Sequence, residues 1–147
     1  ETLMLDILRA YEDFTWENFT LIGKELSKID RENLNGELAQ HPTLFQQYIS
    51  LVALSKRQLD ELAADLNITT SRIRKEHKQA SFPKKMTAKD LDDMVFIDSE
   101  YVQAVEKVTE ATHKYLMVKG MVSTMEHKKD CLIQLSSNSR QETRLYS

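Results

Sequence analysis

The apolar positions of this chain fall into two long helical registers. From Thr43 onward, Phe45, Tyr48, Val52, Ser55, Leu59, Leu62, Leu66, Thr69 and Ile73 follow an alternating three-and-four spacing, and Leu44, Leu51 and Leu54 widen that face on one side. A second series keeps the same spacing: Tyr101, Ala104, Val108, Ala111, Tyr115, Val118, Val122, Met125, Lys129 and Leu132. Such a repeat lines its members along one seam of a helix, where they pack against another helix. The pattern predicts a helix of roughly 30 residues from Thr43 and a second from about residue 98 to 142, folded back on each other as an antiparallel hairpin. Gly120 falls inside the second as a weak point that a helix tolerates. Lys129 takes a seam position, where its stem can pack while its amine reaches solvent or a carboxylate.

Ahead of the hairpin, Leu3, Ile7, Tyr11, Phe14, Asn18, Leu21, Ile22, Glu25 and Ile29 lie close to a three-and-four spacing, with Trp16 and Phe19 broadening the apolar face. One bent helix is expected over residues 2–28. The aromatic set Tyr11, Phe14, Trp16 and Phe19 must bury itself, either on its own core or as a subunit or partner contact. Residues 29–42, punctuated by Asp30, Asn33, Asn35, Gly36 and Pro42, read as a turn, a short helical piece and a helix start with Pro42 in its first turn. Residues 79–86 break the pattern, and Thr87 with Asp90 forms a capping box that opens a helix from Ala88 to Phe96. Asp98 and Ser99 can start the last helix, and the polar run 136–139 is expected to fray into a tail. The predicted class is all-α: a heptad-patterned hairpin over 29–147 with an N-terminal helical arm over 1–28, assembled into an oligomer.

Composition agrees with few, long helices. The 147 residues include only 3 Gly and 2 Pro, too few breakers to suit an all-β fold. A length of this order fits one domain with an arm. The single Cys131 rules out an intrachain disulfide and a cysteine-rich zinc site, and a buried inert thiol is its expected role. No apolar run reaches the ~18 residues of a membrane span, and no signal-peptide pattern is present, so a cytoplasmic setting is expected. The first residue is Glu1 and not Met, which predicts a trimmed start or a reset numbering.

Charge changes the picture more. The net charge is −3, yet the sign is unevenly spread. Residues 1–40 hold nine acids against four bases, whereas Arg72, Arg74, Lys75, Lys78, Lys84, Lys85 and Lys89 place seven cations within eighteen residues. Phe82 and Pro83 sit among them, at the hinge of the hairpin. A basic cluster attracts polyanions by counterion release, and an interleaved aromatic can stack on an unpaired base. A solvated basic loop is the plainer account, and the basic last turns of a helix also suit its dipole.

Catalytic signatures are missing. The sequence holds no GxxxxGK[ST] or GxGxxG loop and no HExxH or CxxC, and its four histidines lie far apart. No enzyme activity, metal or cofactor is expected.

Two stretches carry a resemblance. Ile29-Asp30-Arg31-Glu32-Asn33-Leu34 leads through Glu37-Leu38 to His41-Pro42-Thr43-Leu44 and Tyr48, followed by the long charged helix. This is similar to the opening of the UvsY-type recombination mediators of tailed phages. Later, Lys85-Met86-Thr87-Ala88-Lys89-Asp90, Asp98-Ser99-Glu100-Tyr101 and the run from Glu126 to Leu135 resemble small phage recombination proteins grouped with them. The resemblance covers roughly residues 29–142 and rests on diffuse helical patterns; residues 1–28 have no counterpart in it. It implies a non-enzymatic accessory factor, placed in the bacterial host cytoplasm. Such a factor binds single-stranded DNA as a homo-oligomer and helps a recombinase displace the single-strand-binding protein. It implies Arg72, Arg74, Lys75, Lys78, Lys84 and Lys85 as the DNA-facing surface; Lys89 and a stacking Phe82 join them on their own chemistry. The net acidity departs from a dedicated DNA binder, so affinity would lean on many subunits each supplying a modest patch. The alternative class is a helical protein-interaction module (scaffold, chaperone or host-enzyme inhibitor) that uses the acidic aromatic N-terminal helix.

Overall fold

The computed structural model describes residues 2–146; Glu1 and Ser147, the outer ends of the two expected segments, lie outside the described residues. The described chain is all-α. It runs α1 (Thr2–Glu12), α2 (Trp16–Ser27), a short 3-10 turn (Arg31–Asn33), α3 (Leu34–Ser81), α4 (Ala88–Phe96) and α5 (Ser99–Tyr146). No helix among the described residues is long and apolar enough to cross a membrane. Two compact units form: one from residues up to Ala53 together with those from Leu116, the other from Leu54–Tyr115.

In the first unit, the single bent N-terminal helix expected from the apolar spacing is two helices. Thr15 is extended (φ −126°, ψ 148°), and its hydroxyl accepts the Asn18 N–H at 3.2 Å. A capping threonine satisfies one of the first free N–H groups, so α2 starts afresh, three residues separating it from α1. The break lets both helices turn an apolar face onto one core, where Ile7, Tyr11, Phe19, Leu26, Leu44, Tyr48, Val118 and Met125 are buried together. Phe19 meets Tyr48 edge to face with ring centroids 6.3 Å apart, a geometry aromatic quadrupoles favour. Gly23 marks a close approach of α2 to α5: a Cβ there would lie 2.6 Å from Met121 Sδ.

The start of α3 also departs from expectation. The helix begins at Leu34 and passes through Asn35, Gly36 and Pro42, so Pro42 is interior and not in a first turn. Pro removes one helical N–H and costs about 3 kcal/mol, and Gly adds about 1. Against that cost, Glu37, His41, Leu44 and Tyr48 lie on one face and all are drawn at least partly into the unit. Tertiary burial overrides the local breakers.

Along α5, the buried series is Val118, Met125, Lys128 and Leu132. Lys129, placed on the seam by the spacing, is exposed, and Lys128 is inside instead. Met125 and Leu132 keep the predicted seam on either side, so the exchange is local and follows the partners that Lys128 finds. Lys128 Nζ donates to the Leu26 carbonyl at 2.6 Å and lies 3.2 Å from Glu37 Oε2. That oxygen makes no hydrogen bond of good geometry, so the contact with Lys128 is Coulombic. The expected frayed tail at 136–139 is helical, and α5 continues to Tyr146 with Thr143 Oγ1 bonding the Ser139 carbonyl at 3.0 Å.

In the second unit, α3 and α5 run antiparallel. Lys56 Nζ lies 5.7 Å from the Tyr115 ring centroid, and farther along α3 Arg72 pairs with Glu100. Ile73, Leu91 and Val95 are buried, and every seam residue of α3 from Ser55 to Ile73 is buried or half-buried. The Thr87–Asp90 capping box is present with both hydrogen bonds, at 3.1 and 3.4 Å.

Candidate nucleic-acid interface

The basic segment belongs to the second unit, at the turn between α3 and α4. α3 ends after Ser81, and Lys84 N–H bonds the Ser81 carbonyl at 2.9 Å to close the turn. The tight turn leaves Phe82 with nothing to pack on. It is 82% exposed, unusual for a side chain that gains roughly 2 kcal/mol from burial.

The cations around it divide into two groups. Arg72 pairs with Glu76 at 2.8 Å and also with Glu100, and Arg74 pairs with Asp92. Their charge is compensated locally, and these part-exposed pairs hold α3 against α5 and α4. Lys75, Lys78, Lys84, Lys85 and Lys89 are exposed and have no ion pair among the described residues. The exposed cations of this segment without an ion pair among the described residues are therefore five lysines that flank Phe82 in sequence, while the two arginines tie α3 to α4 and α5.

A groove of about 650 Å³ opens beside Lys84 and Lys85, walled by Met86, Met94 and Ile97, with Asp93 at its edge. Sequence reasoning missed this apolar wall. Its signal was present: Met94 on α4 and Ile97 at the cap just past its end stand three apart, off the Leu91 and Val95 face that enters the core.

The aromatic set of the N-terminal segment is split. Tyr11 and Phe19 are 2% exposed within their own unit, and Phe14 packs partly buried with its ring 5.5 Å from that of Phe19. Burial pushes the Tyr11 and Tyr48 hydroxyls above their usual range. Trp16 alone of the four stands out, 54% exposed at the first position of α2. No three metal-ligating side chains gather anywhere among the described residues.

No family model, curated protein or solved structure matches the chain.

Proposed function

We propose that this protein is a non-enzymatic single-stranded-DNA-binding factor that acts as a recombination mediator of the UvsY type in a phage-infected cell. The observation that carries the reading is Phe82, 82% exposed in a turn bordered by lysines without carboxylate partners. An exposed ring among free ammonium groups supports stacking on an unpaired base while flanking phosphates are neutralised. A duplex, whose bases are already stacked, offers that ring nothing. A single patch of five lysines is modest, so the reading includes a homo-oligomer whose repeated patches share one strand, delivering it to a recombinase in place of the single-strand-binding protein.

Fluorescence anisotropy against a labelled single strand and its duplex, each at two salt concentrations, tests this. Salt-sensitive preference for the single strand is expected. Lys84→Glu with Lys85→Glu should weaken binding and flatten the salt slope, since each lost phosphate contact removes roughly one unit of slope. Unchanged affinity in that variant removes the role assigned to the turn.

A second reading, a protein-interaction module, draws on the first unit. Trp16, Leu21 and Leu116 are each more than half exposed, and an apolar groove of about 410 Å³ runs between α2 and α5 beside Gly23 and Met121. Failure to bind either nucleic acid at low salt would favour it.

A further inference from the structure

We propose that a cleft in the first unit, between the start of α3 and the last turns of α5, binds a phosphate group. Arg31, Asn33, Asn35, Ser136, Ser139 and Arg140 line an open cleft of about 460 Å³ whose surface is mainly polar. Ser136, Ser139 and Arg140 share one face of α5 by their three-and-four spacing. Arg31 and Asn33 face them from the turn before α3. Neither arginine has a carboxylate partner among the described residues, in contrast to Arg72 and Arg74. Glu32 is the one acid of the lining, which leaves the cleft a net positive charge.

The donor set suits a phosphate and little else of comparable size. Two guanidinium forks, two amide NH₂ groups and two hydroxyls can surround tetrahedral anionic oxygens, and arginine does so bidentately. A carbohydrate would want an apolar or aromatic floor, and only Leu34 supplies apolar surface here. A metal cation would meet the two guanidinium charges.

One backbone feature shapes the cleft. Gly36 has an ordinary helical conformation, with no positive φ, so alanine would be the better helix former at that position. A Cβ on Gly36, however, would collide with the Asn33 side-chain amide, which lies folded against it. Gly36 thus lets Asn33 lie along the first turn of α3 and set its amide in the wall of the cleft. Gly36→Ala alters the position of one donor without altering charge.

The phosphate can come from a free phosphate compound or from the backbone of a polynucleotide, and the chemistry at the cleft is shared. The test compares four proteins: the unaltered chain, Arg31→Gln with Arg140→Gln, Gly36→Ala, and Lys84→Gln with Lys85→Gln. Each is titrated calorimetrically with inorganic pyrophosphate and by anisotropy with a labelled single strand, with thermal melting to verify the fold. A cleft that takes free phosphate gives pyrophosphate binding that falls at least about tenfold in the arginine variant, falls measurably in Gly36→Ala, and persists in the lysine variant. A cleft that takes only a polynucleotide gives no pyrophosphate heat, but single-strand affinity drops in both the arginine and Gly36→Ala variants. The proposal is overturned if neither ligand responds to the arginine variant, or if Gly36→Ala leaves both unchanged while arginine removal produces only a loss that vanishes at high salt. Because the lysine variant is scored separately, failure of the turn around Phe82 and failure of this cleft give different patterns.

Discussion

His41 is a titratable side chain buried inside the first unit. It is 5% exposed, stacks on Phe45 with centroids 5.8 Å apart, and neither ring nitrogen makes a hydrogen bond of good geometry. Burial, with the Lys128 and Lys129 charges adding to it, lowers its pKa; the Met125 backbone and Glu37 oppose that only in part. A histidine held below its unfolded value binds fewer protons folded than unfolded. Its contribution to stability is therefore present above about pH 6.5 and lost as pH falls toward the folded pKa. Thermal melts from pH 7.5 to 5 should show Tm falling on acidification, and His41→Gln should fall less steeply. Equal slopes would remove His41 as the cause. Its neighbour Lys128 is a buried charge with two partners, the Leu26 carbonyl and Glu37. Lys128→Met strands the Glu37 carboxylate and should cost about 3–5 kcal/mol in chemical denaturation, while adding Glu37→Gln restores part of it. At the exposed extreme, Phe82→Ala should leave Tm unchanged and reduce single-strand affinity by about 1–3 kcal/mol, the usual worth of one stacked base.

At the scale of elements, caps decide where helices begin. Thr87 holds the Asp90 N–H at 3.1 Å, and Asp90 reaches back to the Thr87 N–H. Thr87→Ala should lower stability by about 1 kcal/mol, read as a shifted denaturation midpoint at constant slope. The same logic at Thr15 explains why one aromatic stretch became two helices. Gly23 shows a different constraint. It sits where α2 approaches Met121, so a larger residue must displace that methionine. Gly23→Leu should destabilise by about 1–3 kcal/mol through overpacking, although leucine is the better helix former. Gly120 has open space around its Cβ position, and Gly120→Ala should stabilise α5 by several tenths of a kcal/mol or more.

For the molecule as a whole, charge and apolar surface are distributed by unit. The second unit carries the exposed lysines and Phe82, and the first carries the acidic N-terminal segment, the large aromatic core and the cleft of Arg31 and Arg140. Charge reversal at Lys84 and Lys85 should change single-strand binding while leaving the melting of the protein intact, because neither side chain is buried. A large drop in Tm in that variant would mean that the turn is structural.

The sequence by itself determined the helical class, the two long helices, the break near residue 82 and the cap at Thr87, because spacing and capping act over three or four residues. It located the basic cluster for the same reason: cations adjacent in a helix and its turn stay adjacent when folded. Tertiary structure alone decided which of those cations are free. Arg72 and Arg74 meet Glu100 and Asp92, which lie eighteen or more positions away in the chain. It also decided that Tyr11 and Phe19 face inward, that Lys128 and not Lys129 is buried, and that α3 runs through Gly36 and Pro42. Each outcome depends on partners from distant segments, whose burial outweighs local preferences of one to a few kcal/mol.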